Sequence, residues 1–179
     1  MTTKGRVLIC DDTLEFSKGI KGLLTMEGYE VVTRSSPMKS IQCLEEDQRK
    51  PKLRDRFSVV VVDLDFDDSE GPNAGMKILE VARRDPLLES IVCTSKGDEK
   101  LAVKAINLGV FGYVMKNKPS DDGNDLLQTV CRASALHNQC LGLIEEIERL
   151  AQSNPGIAGI NALSPHIVDY VRNIRGRGR

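Results

Sequence analysis

The chain has 179 residues, 40% of them hydrophobic, and sets 25 Lys and Arg against 26 Asp and Glu for a formal net charge of −1. That length can bury one core with some chain left over, and the near balance of charge offers no global field for nucleic acid or an anionic lipid surface. No run approaches the ~20 apolar residues of a membrane span, and Met1 to Arg6 lacks the apolar stretch of a secretory signal, so a cytoplasmic protein without membrane insertion is expected.

Arg6-Val7-Leu8-Ile9-Cys10 reads as a first strand, and Asp11-Asp12-Thr13 as the loop into a helix over 15–27 with Phe16, Ile20, Leu23 and Leu24 on its apolar face. Gly28 is placed to end that helix, and Tyr29 to Thr33 forms a short second strand. Ser36-Pro37 offers an N-cap and first-turn proline for a helix reaching about Asp47. Gln48 to Asp55 is charged around Pro51 and reads as a surface turn. Residues 57–63, Phe-Ser-Val-Val-Val-Val-Asp, are a buried third strand that stops on a carboxylate. An acidic loop, 64–74, precedes a helix from Gly75 to about Arg84, and Ser90 to Thr94 is strand four. A helix from Glu99 to Leu108 is closed by Gly109, Val110 to Met115 is strand five, and a turn at Lys118-Pro119 follows. Five alternations of strand and helix with short connections predict a doubly wound α/β domain around a parallel sheet.

The last helix starts near Asp122 and is unusually long. Leu126, Val130, Ala133, His137, Cys140, Ile144, Ile147 and Ala151 keep three-and-four spacing over nearly four heptads, until Asn154-Pro155-Gly156 breaks the pattern. Two readings stay open: its final turns cover their own domain, or they project as a coiled coil or docking helix. The expected organisation is a domain at 1–135, the helix extension at 136–153, and a short helix with a flexible basic tail at 154–179. That last segment is too short for a helix-turn-helix reader, so direct DNA binding is not supported. Cys10, Cys43, Cys93, Cys131 and Cys140 are scattered without a CxxC pair, which fits packing residues in a reducing compartment rather than zinc ligands.

Asp63 carries the chemistry. In an open α/β sheet, ligands bind beyond the C-terminal ends of the strands. Asp11, Asp12, Asp63, Thr94 and Lys116 each close or follow a strand, so the topology gathers them at that edge. Clustered carboxylates call for a hard divalent cation, Mg2+ with Mn2+ as a substitute. A carboxylate can also act as a nucleophile and form an acyl phosphate. Lys116 would place positive charge against an incoming phosphoryl group, and Thr94 would donate its hydroxyl.

Across about residues 4–135 these motifs resemble the receiver domain of two-component response regulators. Asp11-Asp12 matches the family's acidic metal-binding pair, Asp63 its phosphorylated aspartate, Thr94 its switch hydroxyl, Tyr113 its switch aromatic and Lys116 its lysine. Asp65 stands where the family binds magnesium through a backbone carbonyl, and Leu64 and Ser95 fall at the phosphoryl pocket. The resemblance implies a flavodoxin-like sheet in the order 2-1-3-4-5. It also implies phosphoryl transfer from a histidine kinase or histidine phosphotransfer protein to Asp63, slow autodephosphorylation, and a switch of the face made by helix four, strand five and helix five. An output protein or domain would read that face; apart from the resemblance, the spacing of the long helix leaves a homodimer through it as one open reading. Asn117 departs from the family pattern by replacing the proline after the lysine, while Lys118-Pro119 follows two residues later; Lys116 is preferred because Gly109 and Tyr113 then fall in register. The loop after Asp63 is stretched, and its extra acids Asp67, Asp68 and Glu70 read as solvated. Two alternatives stand beside this one. The chain could be the regulatory receiver of a longer response regulator or hybrid kinase. It could instead be a haloacid-dehalogenase-type phosphatase, although Asp63-Leu64-Asp65 sits on strand three rather than the first strand that such an enzyme uses.

Overall fold

The computed structural model describes residues 3–66, 73–116 and 124–153. Five strands, β1 (Arg6–Cys10), β2 (Glu30–Arg34), β3 (Val59–Val62), β4 (Glu89–Thr94) and β5 (Gly112–Met115), form one sheet in the order β2-β1-β3-β4-β5. Every pairing is parallel. The connecting helices are α1 (Leu14–Met26), α2 (Pro37–Gln48), α3 (Ala74–Ala82) and α4 (Glu99–Asn107), and α5 (Asn124–Ser153) follows β5. This is the doubly wound flavodoxin-like sheet, with a long C-terminal helix of 30 residues.

Side chains alternate across the pleat, so each strand feeds two cores. Val7, Ile9, Val59, Val61, Ile91 and Cys93 point toward α1 and α5, where Ile20, Leu24, Leu126, Val130 and Ala133 meet them. Leu8, Cys10, Val60, Val62 and Val92 face Leu44 of α2, Ile78 and Leu79 of α3 and Ala105 of α4. Val59 to Val62 are all buried because both faces of β3 are covered, which is why this strand reads as an unbroken apolar run rather than an alternating one.

Most predicted boundaries agree within a residue or two, and the differences have local causes. β3 begins at Val59 rather than Phe57, because the Phe57 N–H donates to the Asp47 carboxylate at 2.7 Å instead of entering the ladder. The turn predicted at 48–55 contains a short 3-10 helix, Leu53–Asp55. Ser36 occupies the N-cap of α2 with extended backbone, but its side chain makes no capping bond. Among the described residues, Asp98 caps α4, accepting from the N–H groups of Lys100 and Leu101 at 2.8 and 3.2 Å. Gly28 and Gly109 end α1 and α4 with φ of 92° and 85°, a region closed to residues with a Cβ except under strain.

From residue 136 to Glu145, α5 packs on the domain. Cys140 and Ile144 are buried with Leu87, and Leu53 and Leu136 pack alongside. The His137 ring approaches the Leu87 carbonyl at 2.9 Å, and Asn138 donates to the Lys4 carbonyl at 3.1 Å. Arg54 and Glu145 form a two-pronged ion pair. Leu143 and Leu150 face outward, 60% and 42% exposed. The short helix and basic tail expected at 154–179, together with Asp67, Asp68, Glu70, Asn117 and Lys118-Pro119, lie outside the described residues. No described helix is long and apolar enough to cross a membrane.

Candidate functional site

The strand order sets β3 between β1 and β4, so the loops after Cys10, Val62 and Thr94 emerge side by side at one sheet edge. Two ladder bonds carry the alignment into the loops: the Asp63 N–H donates to the Cys10 carbonyl at 2.9 Å, and the Lys116 N–H to the Thr94 carbonyl at 2.9 Å. Carboxylate oxygens of Asp11, Asp12 and Asp63 consequently lie within 4.8 Å of one another. Asp11 and Asp63 are buried, 3% and 2% exposed. The Lys116 ammonium clasps both, reaching the Asp11 carboxylate at 2.6 Å and bonding directly to that of Asp63. Its nitrogen lies over the Phe16 ring, 4.7 Å from the ring centre.

Three carboxylates and one ammonium sum to a formal −2. At an effective dielectric of about 20, two like charges 4.8 Å apart repel by roughly 3 kcal/mol. Burial pushes the Asp11 carboxyl above its ordinary range, and the neighbouring Asp63 adds to that; Lys116 and the Thr13 N–H pull the other way without cancelling it. Burial on its own would lower the Lys116 pKa, but hydrogen bonds and charge from Asp11 and Asp63 outweigh it, so the amine sits above its usual value and stays protonated. The donor set suits a hard divalent ion, since it is all oxygen, anionic and convergent.

The remaining predicted residues surround this cluster. The Asp65 N–H donates to Asp63 Oδ1 at 2.9 Å, which turns the loop back over the acid. The Asp65 carboxylate is turned toward other partners, Lys96 at 2.8 Å and the Ser95 hydroxyl at 3.4 Å. Thr94 is 1% exposed, and its Oγ1 is buried without a hydrogen-bond partner. The Tyr113 hydroxyl is likewise buried and unpaired. Burial raises the Tyr113 pKa, followed by the charges of Asp98 and Asp63. Leu64, 8% exposed, belongs to the core under the loop.

Three participants carry no sequence signal of their own. Phe16 reads as a helix-face residue yet also supports Lys116. Lys96 ties the loop after β4 to the loop after β3 through Asp65. Gly75 lets the first turn of α3 lie on the Asp63 backbone: a Cβ there would stand 2.2 Å from the Asp63 carbonyl oxygen and 2.7 Å from the Leu64 Cα. Only the adjacency of β1, β3 and β4 could have suggested these neighbours.

Residues 7–130 match the family model described as the response regulator receiver domain. A chemotaxis protein CheY of Treponema pallidum is 30% identical over 111 residues, spanning 62% of this chain and 72% of its own length. A Rickettsia bellii protein described as NtrX-like is 29% identical over 142 residues, which cover 79% of this chain and only 28% of that relative. Among solved structures, a CheY-like receiver domain protein from Methanospirillum hungatei superposes with a TM-score of 0.62 at 22% identity, covering 75% of this chain and 97% of that one.

Proposed function

Because this chain belongs to the response regulator receiver family, we propose that it is a phosphoacceptor in which Asp63 takes a phosphoryl group from a histidine kinase or histidine phosphotransfer protein. The observation that carries the reading is the Lys116 ammonium held between the buried carboxylates of Asp11 and Asp63. That arrangement fixes a nucleophile, an acidic neighbour and a positive charge in one place before any substrate arrives.

An oxygen of the Asp63 carboxylate bonds to phosphorus as the donor's P–N bond breaks. The leaving imidazole keeps that electron pair and picks up a proton from solvent. Lys116 offsets the charge carried by the phosphoryl oxygens, and the Thr94 hydroxyl, with no partner in its present setting, donates to one of them. In the return reaction water attacks phosphorus, the bond to Asp63 breaks, and inorganic phosphate leaves with the carboxylate restored.

Mg2+, with Mn2+ as a substitute, would be held by the carboxylates of Asp11, Asp12 and Asp63 and by the backbone carbonyl of Asp65. When bound, the ion supplies charge neutralisation and orients a phosphoryl oxygen. Asp65 fits a backbone role because its side chain is already engaged by Lys96 and Ser95.

The switch follows from the same unpaired hydroxyls. A phosphoryl group draws Thr94 toward it, and Tyr113 turns into the space Thr94 leaves. Their movement would change the face of α4, β5 and α5 that an output partner reads; on α4, Val103 and Ile106 are 51% and 50% exposed. The experiment is intact-mass spectrometry after incubation with Mg2+ and acetyl phosphate. One phosphoryl adduct is expected, absent in Asp63→Asn; an adduct that survives that substitution, or none where a control receiver is labelled, refutes the proposal.

A further inference from the structure

A pocket lies at the opposite edge of the sheet, where the strands begin. A cavity of about 420 Å³ opens there between the lead-in to β1, the segment around the 3-10 helix, and the extension of α5. Its walls include Lys4, Arg6, Arg54 and Arg56, while His137, Asn138 and Leu141 line the α5 side; no carboxylate lines it. Much of this wall, Thr3 to Arg6 and His137 to Leu141, falls at or beyond the ends of the 7–130 family match. The cavity is therefore built largely from segments that flank the receiver core, and the phosphoacceptor chemistry does not use it.

We propose that this cavity binds a small organic anion, a phosphate or carboxylate carried on an apolar body. Volumes of about 300–1,000 Å³ with mostly apolar walls and a few convergent polar groups are typical of small-molecule sites. Here the charged lining groups are four cations, each already paired with a carboxylate, Lys4 with Glu27 and Arg56 with Asp85 among them. Arg6 is held in place by Glu30 and Asp47 at 2.9 and 3.0 Å, and Arg56 by the Lys50 carbonyl at 2.7 and 2.9 Å. These bonds hold both guanidinium groups in place at the cavity wall.

Arg54 is the adaptable member. Its pair with Glu145 is 70% and 36% exposed, and solvent-exposed pairs contribute little net stability, so exchanging that carboxylate for a ligand oxyanion costs little. A guanidinium also matches phosphate and carboxylate oxygens with two parallel hydrogen bonds. Occupancy would loosen Glu145 from Arg54 and so reach the outer turns of α5.

The test is calorimetric titration of the full chain, without divalent cations, with adenosine monophosphate, benzoate and adenosine. Saturable binding of at least one of the two anions and none of neutral adenosine is expected; which anion binds separates the phosphate from the carboxylate class. Affinity should fall about tenfold or more in Arg54→Gln and in Lys4→Gln, the loss of one charge-assisted contact. Both side chains are largely exposed, so both variants should fold. Asp63→Asn should bind as the parent does. No saturation with either anion up to millimolar concentration, binding untouched in Arg54→Gln, or binding lost in Asp63→Asn overturns the proposal.

Discussion

Replacing Lys116 with Met keeps an unbranched side chain and removes the charge, including the ammonium over Phe16. Two buried carboxylates then lose the ammonium that holds them, the situation in which breaking a buried pair typically costs about 3–5 kcal/mol. The site opens at a sheet edge, where water can enter, so the lower end applies and about 3 kcal/mol is expected. With a urea slope of about 1.5 kcal/mol/M, that is a midpoint roughly 2 M lower in the absence of divalent cations. Mg2+ should return much of it. An ion present at a hundred times its dissociation constant stabilises by about 2.7 kcal/mol, and in the variant it no longer meets the repulsion of Lys116. The midpoint increment on adding Mg2+ should therefore be larger in Lys116→Met than in the parent. Equal increments, or a divalent-free midpoint that does not move, would refute the idea that lysine and metal answer the same carboxylates. The assay is urea unfolding followed by far-UV circular dichroism, with and without Mg2+.

Thr94→Val removes a buried hydroxyl that has no partner, so the unphosphorylated variant should match or exceed the parent by up to about 1 kcal/mol, and urea unfolding that shows a marked loss would mean the hydroxyl is bonded after all. Gly75→Ala forces a methyl group onto backbone atoms that cannot rotate away, which should cost about 1–3 kcal/mol and slow labelling of Asp63; a variant normal in both unfolding and intact mass would show that α3 shifts freely. Burial, assisted by Cys131, pushes the Tyr29 phenol up to about 12. The folded state thus favours the neutral form, so its contribution is complete below about pH 10 and is lost as pH rises toward 12, by up to about 3 kcal/mol. Tyr29→Phe should flatten that alkaline decline, and an unchanged pH profile of the melting temperature would count against the assignment.

Much of the site could be read from the chain because a parallel sheet converts position along the sequence into position in space. Asp11, Asp63, Thr94 and Lys116 each follow a run of strand-forming residues, and strands pointing the same way deliver their ends to the same edge. Side-chain partnerships between loops were not legible. Lys96 meets Asp65 because β3 and β4 are neighbours, and alternation of strand and helix does not state which strands are neighbours. Asp47 illustrates the same limit: it reads as the polar end of a helix, yet its carboxylate accepts from the Phe57 N–H and delays the start of β3.

The linear pattern of apolar and polar residues was enough to specify five strands, their helices and the acids at the strand ends, since periodicity and capping are local properties of the backbone. Packing decides where α5 goes between residues 136 and 145. Its three-and-four spacing suits a projecting helix as well as a covering one, and over this stretch Leu87 and Leu53 offer Cys140 and Ile144 a dry surface, while Leu150 beyond it is 42% exposed. Burial depends on what lies across from a residue, and that partner is set by the folded chain as a whole.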